Sequence, residues 1–282
     1  MNAKTNLPVI PDSRADDLHH LEAIEASQLN LFMAGNQFML MQELVNAFRG
    51  QHPEIQNIYY QTLPPGLQLK QILSGGAWFR GRRIDAKADV YSSVNAEAMN
   101  KLAAAAKIEP DTHRPYLHNR LVLLVPSGNP AAISAVTDLG GAAVRISQPD
   151  PRNEDIAFHI MDMYRDAGGD ELVRRIMEEK RADGTTIMTV VHHRETPQRL
   201  QEKSVDVGPV WATEAAYALR QKLPVEMIDP GNRLDQRKRI NYYICKLAQA
   251  PNAENAETFL KFMQTRRARA IYEKYGFIIP DE

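Results

Sequence analysis

Residues 29–48 read LNLFMAGNQFMLMQELVNAF, and this stretch decides the fold. An apolar run from Leu29 to Met33 predicts a strand that ends in the small-residue turn Ala34-Gly35-Asn36. From Gln37 onward, apolar residues fall at Phe38, Met41, Leu44, Val45 and Phe48. That is the i, i+3, i+4, i+7 spacing of a helix with one buried face. Asn36 stands where an N-cap belongs. A strand running through a small turn into a helix aims unpaired backbone N–H groups and the positive end of the helix dipole at one point. Such a geometry suits a small, often anionic, ligand. The same local pattern also describes an ordinary βα turn that binds nothing.

The pattern repeats along the chain. A strand over 56–60 is followed by the turn Leu63-Pro64-Pro65-Gly66 and a helix near 67–73. Residues 75–83 read as a loop or hairpin, 88–91 as a strand and 95–106 as a helix. This β-α-β-α-β-α order implies a parallel sheet covered by helices. A second set begins at Leu121-Val122-Leu123-Leu124-Val125-Pro126, the most apolar strand of the chain. It continues with a strand over 141–147, helices over 154–166 and 170–181, a strand over 185–191 and a helix over 198–203. A strand over 207–211 and a helix over 214–221 complete it. The chain returns through 224–228 and a strand over 240–245 to two last helices, 253–264 and 268–275.

Composition narrows the function. The 282 residues are 44% hydrophobic and 24% charged with a formal net charge of −1, an ordinary globular composition large enough for two domains. The near-neutral balance argues against a nucleic-acid partner. The basic residues Arg266, Arg267, Arg269 and Lys274 share their helices with Glu257 and Glu273, as on a solvated face. No run of about 18 apolar residues exists, so membrane insertion is not expected. The first residues lack the apolar core of a secretory signal, which reads as cytoplasmic, or as periplasmic if a signal has been removed. The single cysteine, Cys245, excludes an internal disulfide and reads as a buried thiol. Sequence signatures of common catalytic sites (GxSxG, HExxH, GxxxxGK[ST]) are absent, so no enzyme and no cofactor are expected.

Taken in order, the segments LNLFMAGNQFMLMQELVNAFRGQHPEI, PPGLQLKQILSGG, ADVYSSVNAEAMNKL, NRLVLLVPSGNP, AVRISQP, VDVGPVWATEA and NAETFLKFMQTRRARAIYEKYGF form one series. The series resembles the molybdate-binding-protein-like branch of the type 2 solute-binding proteins of ABC transporters, from about residue 29 to 277. The resemblance implies an α/β fold: a two-lobed, periplasmic-binding-protein-like clamshell with a mostly parallel sheet in each lobe. Lobe one would comprise 28–116 plus 226–282 and lobe two 117–225, with the hinge near 114–120 and 222–230. Residues 1–27 would form an N-terminal arm with a short acidic helix around 16–26. The implied function is non-enzymatic capture of a small solute (organic acid, zwitterion or oxyanion) in an interlobe cleft, by a monomer that delivers it to an ABC transporter permease. The alternative is a cytoplasmic ligand sensor or accessory protein that signals to a protein partner through the same fold.

The βα turns then supply the expected contacts. Asn36 takes the place of a hydroxyl donor after the first strand and can donate through its amide. Pro65 or Gly66 takes the second position, where Pro65 has no N–H to give. Thr62 and Ser93 add hydroxyls at the same edge. Glu154 opens a helix; it is either a favourable first-turn acid or a charge that repels a small anion and suits a cationic end. His193, Arg194 and Glu195 fall in a polar loop before Pro197, read as ligand-facing, as a salt-bridged surface loop or, with too few ligands, as a metal site. No metal is therefore assigned. Trp211 is either an indole donor and stacking face or an aromatic plug. The missing donor at Pro65 places an organic zwitterion or functionalised acid ahead of molybdate, with Arg194 as the fork for its acidic end.

Overall fold

The computed structural model describes residues 7–108, 112–152, 154–190 and 195–280. The chain opens with β1 (Leu18–His19), β2 (Leu29–Phe32), α1 (Phe38–Gln51), β3 (Ile58–Gln61), α2 (Pro65–Ser74), the hairpin β4 (Gly76–Phe79) and β5 (Arg82–Asp85), β6 (Val90–Ser93), α3 (Ala96–Ala104) and β7 (Arg114–His118). It continues with β8 (Leu121–Pro126), β9 (Ile146–Gln148), α4 (Ile156–Arg174), α5 (Lys180–Ala182), β10 (Thr186–Met188), α6 (Glu195–Gln201), β11 (Gly208–Trp211), α7 (Ala212–Arg220) and β12 (Val225–Ile228). β13 (Asn241–Lys246), α8 (Ala253–Phe262) and α9 (Arg266–Lys274) close it. Most expected elements are present, with shifted ends. The two helices expected at 154–166 and 170–181 meet inside α4, where Gly168 and Gly169 leave helical geometry and Gly169 takes φ +72°, a region side chains disfavour.

The chain divides into two compact units: residues 1–117, 241–274 and 278–282 in one, 118–240 and 275–277 in the other. The chain passes from the first unit to the second between residues 117 and 118 and returns between 240 and 241. Residues 226–240, expected in lobe one, belong to unit 2. There β12 pairs antiparallel with β8 from Val225↔Pro126 to Ile228↔Leu123, and Leu121 N–H donates to Asp235 O at 2.8 Å. Tyr275 to Phe277 also belong to unit 2, where the Arg220 guanidinium lies 4.5 Å from the centre of the Tyr275 ring.

Unit 1 is built on one mixed sheet of order β1-β3-β2-β6-β13-β7. Its centre is parallel, since β2 pairs in that sense with both β3 and β6, while β1 runs antiparallel to β3 and β13 antiparallel to β6. Phe32, Tyr91, Leu69, Met99, Leu102 and Cys245 pack into one core cluster. Burial pushes the Cys245 thiol up to about 12, the inert state expected for it. Phe48 of α1 meets Phe259 and Phe262 of α8 edge-on, with ring centres 5.3 Å apart in both pairs. The expected arm is part of this unit. Instead of an acidic helix, residues 12–26 form 3-10 turns on either side of β1, which pairs with the edge of β3.

In unit 2 the expectation of a mostly parallel sheet holds only in part. β9 and β10 are parallel, but both β11 and β12 pair antiparallel with β8. Val122 and Leu124 of β8 form its core with Leu200, Val210, Ala215 and Val225. β8 is central and buried, which accounts for its unbroken apolar run.

Gly35 shows what holds unit 1 together at its turns. A Cβ added there would sit 3.0 Å from Thr62 O and 3.4 Å from Leu63 O, both backbone atoms of the next βα turn. Gly50, within α1, has open space around it. Gly35→Val is expected to cost about 1–3 kcal/mol in urea unfolding, since the backbone of the neighbouring turn must move. Gly50→Ala is expected to stabilise by about 0.5–1 kcal/mol from helix propensity. A neutral Gly35→Val would show that the two turns are not packed in this way.

Candidate functional site

The parallel pairing of β3, β2 and β6 puts their carboxyl ends on one edge of unit 1, with the turns to α1, α2 and α3 beyond them. One carboxamide ties two of these turns together. Gln68 Nε2 donates to Met33 O at 2.7 Å and to Leu63 O at 2.5 Å. The Tyr91 hydroxyl donates to Pro65 O at 2.9 Å. Buried polar backbone at a strand end needs such partners, and the inner face of α2 supplies them.

Asn36 does not cap α1. A 3-10 turn over Gly35–Gln37 precedes the helix, and the capping residue is Gln37, without a side-chain cap bond. The Asn36 amide instead donates through Nδ2 to the Tyr242 hydroxyl on β13, and Asn36 is 4% exposed. Its Oδ1 is buried without a partner among the described residues. Ser93 is in the same state: it is fully buried, it ends β6 rather than following the strand, and its Oγ has no partner. Thr62, at the end of β3, donates from Oγ1 to Asp17 Oδ1 at 3.4 Å. Gly66 lies exposed in the first turn of α2.

Sequence reading missed the group beneath Asn36. Gln37 Nε2 donates to Ser92 Oγ at 3.0 Å and to the Tyr116 hydroxyl at 2.8 Å, and Gln37 Oε1 accepts from the Tyr272 hydroxyl at 2.8 Å. Ser92 Oγ also accepts from Ala34 N–H at 3.0 Å. Burial pushes the hydroxyls of Tyr116 and Tyr272 well above the usual tyrosine range, so both stay protonated donors. These residues come from a turn, two strands and the C-terminal helix. Gln37 was legible only as the first residue of a helix.

In unit 2 the carboxyl ends of β9 and β10 share an edge. Asp150 N–H donates to Thr189 Oγ1 at 3.1 Å, and that hydroxyl donates in turn to Glu154 Oε1, so the buried Glu154 carboxylate is held just ahead of α4. Asp150 itself pairs with Arg152 at 2.6 Å, which holds its carboxyl below the usual carboxylate range. Glu195 opens α6, accepts from Val190 N–H at 3.0 Å and pairs with Arg199 at 2.8 Å. Arg199 also donates to Ile187 O and Met188 O, which makes this ion pair a clasp on the end of β10. Trp211 ends β11, is 2% exposed and lies 5.9 Å from the His159 ring. His193 and Arg194 lie outside the described residues. Among the described residues, no three His, Cys, Asp or Glu side chains gather as a metal site would require.

Two outcomes follow from these contacts. Gln37→Leu removes a donor from Ser92 and Tyr116 and an acceptor from Tyr272; it is expected to cost about 1–3 kcal/mol in chemical denaturation, and Tyr272→Phe only about 0.5–1.5. Equal costs would mean that Gln37 is not the hub. Burial holds the His159 imidazole below its ordinary value, against the raising effect of Asp162. The unfolded chain therefore takes up that proton more readily, and stability falls as pH drops below about 6.5. His159→Gln should flatten this part of a stability–pH profile, and an unchanged slope would assign it to other groups.

A family model described as bacterial extracellular solute-binding protein matches residues 29–278. The Bacillus subtilis (strain 168) protein named ABC transporter substrate-binding lipoprotein YvgL is 23% identical over 231 residues, covering 80% of this chain and 76% of that one. Among solved structures, the periplasmic molybdate-binding protein of Azotobacter vinelandii superposes with a TM-score of 0.71 at 18% identity, over 90% of this chain and 100% of that one. The sulfate-binding protein SubI from Mycobacterium tuberculosis H37Rv gives 0.72 at 18%, over 90% and 86%. At these identities, the structural likeness carries the fold.

Proposed function

Because the chain belongs to the bacterial extracellular solute-binding protein family, we propose that it is the non-enzymatic capture component of an ABC-type uptake system, holding one small solute and passing it to a permease. One observation carries the choice of site. At the carboxyl edge of unit 1, Asn36 Oδ1 and Ser93 Oγ are buried and unpartnered among the described residues. Buried polar atoms are normally paired, and a polar solute would complete these two. The family description favours a site of action outside the cytoplasm, and so the periplasmic alternative over the cytoplasmic one. No helix among the described residues is long and apolar enough to cross a membrane.

The chemistry of the edge favours an organic solute with an N–H or cationic group beside an anionic one. With Nδ2 given to Tyr242, Asn36 offers an acceptor, and a fully deprotonated oxyanion has no hydrogen to place on it. Ser93 remains as a donor for an acidic end. The oxyanion reading draws its support from Ser93 and from the exposed first turn of α2, and the same screen separates the two.

A thermal-shift screen of amino acids, aminosulfonates, molybdate and sulfate is expected to yield a stabilising zwitterion. Ligand at about 100 times its Kd adds about 2.7 kcal/mol to the folded state. Asn36→Ala and Ser93→Ala are each expected to weaken binding about tenfold or more. Mass spectrometry should recover the bound compound unchanged. Full binding in both variants would refute this site, and turnover would refute the non-enzymatic reading.

A further inference from the structure

The family match begins at residue 29, yet the chain before it is built into unit 1. Ile10 is 1% exposed within the core cluster; its N–H donates to Trp78 O and Trp78 N–H donates to Pro8 O, both at 2.8 Å. β1 pairs with the edge of β3, and the His19 ring stacks on Tyr60 with centres 4.3 Å apart. Between these anchors stands Asp17, 2% exposed, with the Arg14 guanidinium 3.3 Å from its Oδ2. Both donors of Thr62 point at Asp17. Thr62 N–H donates to Asp17 O at 2.8 Å, and Thr62 Oγ1 donates to Asp17 Oδ1 at 3.4 Å.

Sheet order explains why this matters. β3 and β6 flank β2, so Thr62 and Ser93 place hydroxyls on either side of the turn into α1. Two hydroxyls at the ends of the strands that flank β2 are donors that an anion with no hydrogens of its own would take from this edge. Among the described residues the Ser93 hydroxyl has no partner, and Asp17 takes up that of Thr62.

We propose that residues 12–19 form a selectivity strap, with Asp17 as its specificity-determining residue. Asp17 withdraws the Thr62 hydroxyl from the solute and biases the edge of unit 1 against bare oxyanions. The inference rests on the solute-binding reading given above. Charge plays the smaller part, because Arg14, itself buried, offsets the Asp17 carboxylate. The effect lies in which hydroxyls remain available.

Calorimetric titration of the full chain with sodium molybdate tests this. Asp17→Ala is expected to bind molybdate at least about tenfold more tightly than the wild type, and the Asp17→Ala/Thr62→Val double variant to lose that gain. Thr62→Val alone is expected to stay within about twofold of the wild type, because its hydroxyl is already withdrawn. The strap is overturned if Asp17→Ala, with wild-type circular dichroism, shows no gain. A gain that survives in the double variant, or a tenfold loss from Thr62→Val alone, overturns it too. Should Asp17→Ala fail to fold, Arg14→Met/Asp17→Leu removes both charges together and carries the same expectation. A wild type that responds to no compound in the solute screen defeats the solute-binding reading itself. A wild type that binds, with an Asp17→Ala variant that behaves identically, defeats the strap alone.

Discussion

Unit 1 depends on the close approach of two turns. Gly35 lies against the carbonyls of Thr62 and Leu63, and Gln68 reaches from α2 to the carbonyls of Met33 and Leu63. Backbone oxygens at the end of a buried parallel strand have lost water and need donors. A single carboxamide meets two of them, at a spot where a side chain on residue 35 would force the turns apart. The positions of Asn36 and Thr62 follow from this junction.

Above it, polar groups fall into two populations. Gln37, Ser92, Tyr116 and Tyr272 satisfy one another, and a satisfied network in a poorly screened interior fixes its members in place. Asn36 Oδ1 and Ser93 Oγ sit at the same edge without partners among the described residues. In the proposed reading, a polar guest would meet an edge already ordered by the network beneath it, which lowers the ordering cost of binding. Unit 2 differs. Its acidic residues Asp150, Glu154 and Glu195 are each held by a protein donor, so its edge is largely satisfied internally.

Much of the fold could be read from the chain, and less of the site. The strand–turn–helix at 29–48 stood out because apolar spacing over twenty residues is a local property, and the buried thiol at Cys245 followed from its neighbours. Residues 226–240 were misplaced because β12 reads the same whichever sheet receives it; its bond to β8 is long-range. Residues 16–26 read as a helix from their acidic, partly apolar composition, but the edge of β3 draws two of them into a strand. Asn36 has the chemistry of a cap, and Tyr242, more than two hundred positions away, took its amide instead.

Sequence alone determined the order of most strands and helices, which faces are apolar, that two α/β sets follow one another and that the family likeness spans nearly the whole chain. These depend on residues a few positions apart, whose spacing sets backbone geometry directly. Tertiary structure decided which polar atoms are satisfied. Whether Thr62 is open or held by Asp17, and whether Gln37 is a helix start or a hub, depends on groups that meet only after the sheet has formed. Hydrogen bonding is short-ranged and directional, so no spacing along the chain encodes it.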